Sequence, residues 1–120
     1  MMNKRSERRR WRAGLPPVPA CWAWPLPREH FETVADLYYW HEGRCAVCGR
    51  VENIIPDHDH ETMLIRGWLC ARCNSAEVHH GGVFDQYRAI NPASNLDIHV
   101  RYFRPRSAPG RDSLRLYRGA

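Results

Sequence analysis

The sequence lacks any long apolar run. A membrane-spanning helix needs about 20 consecutive apolar residues, and no stretch of this 120-residue chain approaches that. A helical membrane protein is thereby excluded. A smooth export leader is lacking as well. The triple Arg8-Arg9-Arg10 has the look of a twin-arginine signal, but the apolar stretch behind it is broken by Pro16, Pro17 and Pro19. Such a leader needs an unbroken apolar segment, so the expectation is a cytoplasmic protein with no membrane partner. Internal repeats are also absent, which removes solenoids and propellers. At 120 residues the chain makes one domain at most, and its core is marginal without a staple.

Acidic residues are scarce at both ends. Residues 1–12 hold six basic residues and one acidic; residues 104–120 hold five and one. The middle, residues 13–103, holds seven basic and eleven acidic residues. Positive charge confined to two tails reads as a pair of arms attracted to phosphate, or as a solubilising surface. Residues 1–12 read as disordered by composition. Residues 13–27 carry five prolines with Trp22 and Trp24, so they cannot form regular helix. They read as an extended path with the tryptophans as packing anchors, or else as platforms for stacked bases. The expected division is a basic and Pro/Trp-rich arm (1–27), a folded domain (28–103) and a basic tail (104–120).

The missing staple is supplied by cysteine. Cys45 and Cys48 form one Cys-x-x-Cys pair and Cys70 and Cys73 another, with twenty-one residues between the pairs. Each such turn can supply two corners of a thiolate tetrahedron, so the four point to structural Zn²⁺. Two disulfides would want an oxidising compartment. A redox pair would want a βαβ context that the neighbouring sequence does not offer. Cys21 lies outside the pattern and reads as a plain thiol.

Between the pairs stands Asp57-His58-Asp59-His60. A calcium loop beginning at Asp57 would need Gly at its sixth position and Glu at its twelfth; the chain has Thr62 and Trp68. A Cys2His2 finger needs histidines three to five residues apart, and His58 and His60 have one residue between them. A solvated charge run does not account for interleaved histidines and carboxylates flanked by Ile54-Ile55 and Met63-Leu64-Ile65.

The local pattern predicts a helix over 28–42, where Phe31, Val34, Ala35 and Tyr38 share a face and Gly43 ends it. It predicts short strands over 53–56 and 64–69, with alternation in the second blurred by Arg66-Gly67. A helix should follow over 73–78, a second over 83–90 closed by Asn91-Pro92, and a strand over 97–103. His30 and His41 read as surface or packing residues. His79 and His80 read as exposed residues near phosphate or as extra ligands.

The run Asp57-His58-Asp59-His60-Glu61-Thr62, followed by Arg66-Gly67-Trp68-Leu69-Cys70 and then Cys73-Asn74, resembles the recombination endonuclease VII family of HNH (His-Me finger, ββα-metal) nucleases. The likeness covers roughly residues 43–77. Met63 departs from it, standing where a glycine often follows the threonine. The resemblance implies a small α+β, zinc-stabilised domain with a ββα-metal core, flanking helices and disordered basic tails. It implies a metal-dependent DNA endonuclease with Mg²⁺ or Mn²⁺ as catalytic cation. Asp57 and Asn74 match the ligands of that cation and His58 the general base. His60 would contact the phosphate or orient the site, Glu77 matches a supporting acidic position, and Asp59 has no role. Arg66 and Arg72 are expected at nucleic acid. Family members include nucleases that resolve branched DNA as dimers; branch specificity depends on dimer geometry and does not transfer with the motif, so branched DNA, ordinary duplex and single strand are equally open as substrates and a homodimer is one option. The rival reading is a non-catalytic zinc-ribbon-like module that binds nucleic acid or protein.

Overall fold

The computed structural model describes residues 3–102. At its centre is an antiparallel hairpin of β1 (Ile54–His58) and β2 (Ile65–Cys70). Around it among the described residues lie α1 (Lys4–Ala13), a 3-10 turn at Ala20–Ala23, α2 (Val34–His41), α3 (Ala71–Glu77), α4 (Val83–Ala89) and α5 (Pro92–Leu96). None of the helices is long and apolar enough to cross a membrane.

All six residues of β2 are buried. Both faces of the strand are covered, so its sequence needs no polar side, which is why the alternation is blurred. On one side of β2, Leu69 packs with Cys21, Trp24, Trp40, Val47, Phe84 and Tyr87. On the other, Ile65 and Trp68 pack with Val34, Leu37, Ile98 and Val100. Gly67 is required by that packing: a Cβ there would come within 2.8 Å of Pro92 Cγ, so a side chain would push α5 off the strand.

The helix expected over 28–42 is shorter at its start. Thr33 Oγ1 accepts from the Asp36 N–H at 3.0 Å, and the Asp36 carboxylate accepts from the Thr33 N–H at 3.0 Å. This reciprocal cap starts α2 at Val34, leaving Phe31 ahead of it, packed against both cores. Glu42 and Gly43 then take the left-handed conformation and end it, with φ of 52° and 76°.

Residues 4–13 are helical, not disordered. Asn3 Oδ1 accepts from the Ser6 N–H at 2.8 Å and caps α1. Trp11 and Leu15 then dock against the core. Two apolar anchors outweigh the arginine-rich composition, because docking removes apolar surface that an isolated arm would leave in water. The following segment is extended apart from its 3-10 turn. It binds the first cysteine pair through backbone bonds from Ala20 N to Val47 O (3.0 Å) and Cys21 N to Ala46 O (2.9 Å). Trp24 is buried edge-on to Trp40, with centroids 5.1 Å apart. Trp22 donates from Nε1 to Ile90 O. Cys21 is fully buried, and burial pushes its thiol up to about 12, which makes it inert.

At the C-terminal side, Asn91 opens a helix rather than closing one: its Oδ1 caps Ser94 N at 3.0 Å, and Pro92 takes the first helical position. The strand expected over 97–103 reduces to a bridge between Leu64 and Arg101, flanked by backbone bonds from Ile65 N to Val100 O and from Tyr102 N to Met63 O. The basic tail over 104–120 lies outside the described residues.

Candidate active site

The chain places its four paired cysteines together. Their Sγ atoms all lie within 4.8 Å of one another, with Cys48 and Cys70 at 3.9 Å. Four thiolates about 2.3 Å from a tetrahedral ion would stand about 3.8 Å apart, so the group can hold zinc. The backbone arranges this. Gly49, at φ 76°, closes the first turn by donating to Cys45 O. Cys70 ends β2 and caps α3, and Cys73 sits in that helix's first turn. All five cysteines are free of disulfides.

The same hairpin carries the tetrad. Asp57 pairs with Gly67 and His58 with Ile65, so Arg66 is an extra residue bulged out of β2 opposite the Asp57-His58 peptide. The bulge aims the Arg66 side chain at β1. Its Nε donates to Asp57 Oδ2 at 2.8 Å, and its Nη2 donates to Asp57 Oδ1 and to His58 O, each at 3.1 Å. Nη2 also meets Glu77 Oε1 of α3. Tyr87 of α4 donates its hydroxyl to Asp57 Oδ2 at 2.8 Å. Arg66, Asp57 and Glu77 are 7%, 4% and 3% exposed, so this is a buried ion cluster, steadied on its far side by Arg88.

Two effects compete at Asp57. Burial raises its carboxyl above the usual range, while the Arg66 guanidinium and the Tyr87 hydroxyl pull it back. Asp57 Oδ2 already accepts two donors and Oδ1 one, which leaves a lone pair on Oδ1 for a cation. Asn74 sits half-buried on α3, one turn before Glu77 and on the same side of the helix.

His58 is half-buried. Its ring stacks on Tyr102, 4.5 Å between centroids and 14° between planes, and lies 4.8 Å from the ring of exposed His60. Burial, then the neighbouring His60, lower its basicity, so the neutral ring is favoured. Beyond it, Asp59 Oδ1 accepts the backbone N–H groups of Glu61 (2.7 Å) and Thr62 (3.0 Å). Those bonds hold its carboxyl below the usual range. Asp59 is thus the capping residue of the turn that links the strands. Met63 completes the turn in the left-handed region, φ 63°, the conformation that favours glycine.

Arg66 and Arg72 part company. Arg66 is buried against carboxylates rather than offered to a phosphate. Arg72 is exposed on the outer side of α3. Two participants escape a reading of the sequence. Tyr87 and Tyr102 come from segments 30 and 44 residues beyond the residues they touch, Asp57 and His58, and no local signal marks them. His41 takes the packing role. Fully buried, it accepts the Trp68 N–H on Nε2 at 2.9 Å and donates from Nδ1 to Leu37 O at 2.8 Å. It locks α2 to the middle of β2.

Comparison with known proteins places this constellation in a family. Residues 26–96 match the family described as recombination endonuclease VII. The chain is also similar to the Gene 59 protein of Mycobacterium phage L5, 40% identical over 43 residues, covering 32% of this chain and 26% of that protein. The Gene 59 protein of Mycobacterium phage D29 is 40% identical over 42 residues, with coverage of 32% and 26%. This chain therefore spans about a quarter of the length of those relatives. No solved structure matches.

Proposed function

The chain belongs to the recombination endonuclease VII family, and from that premise we propose that it is a metal-dependent DNA endonuclease of the HNH type. The observation that carries the proposal is the pairing of a neutral-leaning His58 with Asp57, whose carboxylate is held by Arg66 and Tyr87 but keeps a free lone pair. The sequence β1, β2, α3, with Asp57-His58 closing the first strand and Asn74 on the helix, supports a ββα-metal reading of the core.

Hydrolysis of a phosphodiester requires that water lose a proton as its oxygen attacks phosphorus, and that the departing oxygen gain one from solvent water as its bond to phosphorus breaks. In this proposal His58 takes the first proton. Its lowered basicity, from burial and the neighbouring His60, favours the unprotonated ring at neutral pH. Tyr102 fixes the plane of its ring, and the Arg66 bond to His58 O fixes its backbone. Asp57 and Asn74 would hold Mg²⁺ or Mn²⁺, which supplies positive charge to the phosphate and the departing oxygen when bound. His60, its ring 4.8 Å from that of His58, would contact the phosphate or orient the site. Glu77 acts on Asp57 through Arg66. A zinc ion on Cys45, Cys48, Cys70 and Cys73 would leave no open position for substrate and would serve the fold. Action on branched DNA as a homodimer is the finer form of this proposal.

A plasmid-nicking assay with Mg²⁺ tests it. The wild type should nick, and His58→Ala should lose about 10²–10⁴-fold in rate with its zinc content and melting temperature near wild type. Asp57→Ala and Asn74→Ala should instead shift the Mg²⁺ dependence. A His58→Ala protein that cleaves at the wild-type rate would overturn the mechanism, and a wild type silent with both Mg²⁺ and Mn²⁺ would leave a non-catalytic binding module.

A further inference from the structure

α3 has two working sides. Asn74 and Glu77 face the hairpin; Arg72 lies on the opposite side, facing α1. Between α1 and α3 runs a groove of about 540 Å³. Lys4, Arg8 and Arg12 line it from α1 and Arg72 from α3, with Glu7 as the acidic side chain among them. Trp11 forms part of the wall, half-buried and braced against the core. The two walls meet at one end, where Arg12 Nη1 lies 3.4 Å from His80 Nε2.

We propose that this groove binds an unpaired stretch of the DNA strand, with a base against Trp11 and its flanking phosphates on Arg8, Arg12 and Arg72. Four cations around one carboxylate leave the recess positive, which suits a phosphate backbone. An indole set in the wall offers a stacking face that a paired base, covered on both sides by its neighbours, does not need. A recess of this size takes a nucleotide or two, whereas a duplex presents its phosphates on a convex ridge. The groove lies one helix diameter, about 10–12 Å, from the Asp57 side of α3. A strand held there would be tethered beside the reaction without touching it. The cations therefore act on ground and transition states alike, raising affinity and leaving the chemical step unchanged.

The proposal rests on the reading of this chain as a DNA-acting protein, and its test is kept apart from cleavage. Binding of fluorescently labelled oligo-dT and of a labelled hairpin duplex would be measured by anisotropy over a range of salt, with no added divalent cation. The comparison is between wild type, Trp11→Ala and the triple variant Arg8→Ala, Arg12→Ala, Arg72→Ala, whose changed side chains are exposed. Three lost contacts should flatten the slope of log affinity against log salt on oligo-dT by about 2. Trp11→Ala should weaken oligo-dT binding on the order of tenfold, with hairpin binding changed less than threefold. Because Trp11 also braces α1, Trp11→Phe serves as its control and should restore most of the affinity. An unchanged oligo-dT slope in the triple variant overturns the proposal. Equal losses on oligo-dT and hairpin overturn the assignment to an unpaired strand. A wild type that binds as described but never nicks would sink the nuclease reading and leave the groove standing.

Discussion

Replacing Arg66 with methionine is the sharpest test of how the candidate site is built. Methionine fills much of the volume, so the change removes charge and donors more than packing. In the wild type the guanidinium makes two bonds to Asp57, one to His58 O and a contact to Glu77, and Arg66, Asp57 and Glu77 are each no more than 7% exposed. Without it, two carboxylates remain in a space nearly closed to water. Only the Tyr87 hydroxyl then attends Asp57, and Arg88, at 3.6 Å, attends Glu77. Removing one partner of a buried ion pair costs about 3–5 kcal/mol. For a domain of this size that lowers Tm by more than about 12 °C. The loss should depend on pH. The Asp57 carboxyl already sits above its usual range, and losing Arg66 raises it further. A carboxyl raised in the folded state contributes most below its unfolded value, and that contribution is lost as pH rises through the folded value. The gap between wild type and variant should therefore be small near pH 4, widen with rising pH, and level off above the variant's raised value. Both proteins share the acid-labile thiolates, so these cancel in the difference. Urea unfolding at several pH values measures the gap, and Asp57→Asn in the variant background should recover much of it. A variant as stable as wild type at pH 8, or a gap indifferent to pH, would refute the clamp.

Three further outcomes are expected. The protein should carry one zinc per chain on Cys45, Cys48, Cys70 and Cys73; native mass spectrometry should show it, and Cys70→Ser should lose both the metal and the cooperative melt. His41, lowered by burial to about 4 from 6.5, is folded as the neutral ring. Its stabilisation should be complete above pH 6.5 and fall by about 3 kcal/mol as pH drops toward 4; His41→Gln should lose that slope in acid unfolding, so the difference between wild type and variant should shrink as pH falls. Met63→Gly relieves a left-handed side chain worth about 1–2 kcal/mol of strain against a gain in unfolded-chain freedom of about 0.5–1 kcal/mol. Its urea midpoint should match or exceed that of wild type, and a loss above about 1 kcal/mol would show that the Met63 side chain matters more than the turn.

The sequence by itself determined the features written in short spacings. Two Cys-x-x-Cys turns at a readable distance announced a four-thiolate cluster, because each turn supplies its corners locally and only the pairing of two turns is left to the fold. The family was legible for the same reason, its motif being a contiguous hairpin and the helix that follows it. Two helix starts rest on three-residue contacts as well, Thr33 with Asp36 and Asn91 with Ser94, yet apolar periodicity placed the first start at residue 28 and read Asn91-Pro92 as an end. Tertiary structure decided what distance along the chain conceals. Arg66 looks like a cation for phosphate until the bulge in β2 turns it onto Asp57 and Glu77. Tyr87 and Tyr102 join the site only because α4 and the Leu64–Arg101 bridge bring them there. Residues 4–13 have the composition of a disordered arm, and they become a docked helix because Trp11 and Leu15 find apolar partners contributed by segments far along the chain. Composition counts what a segment carries; only the assembled core determines what it can bury.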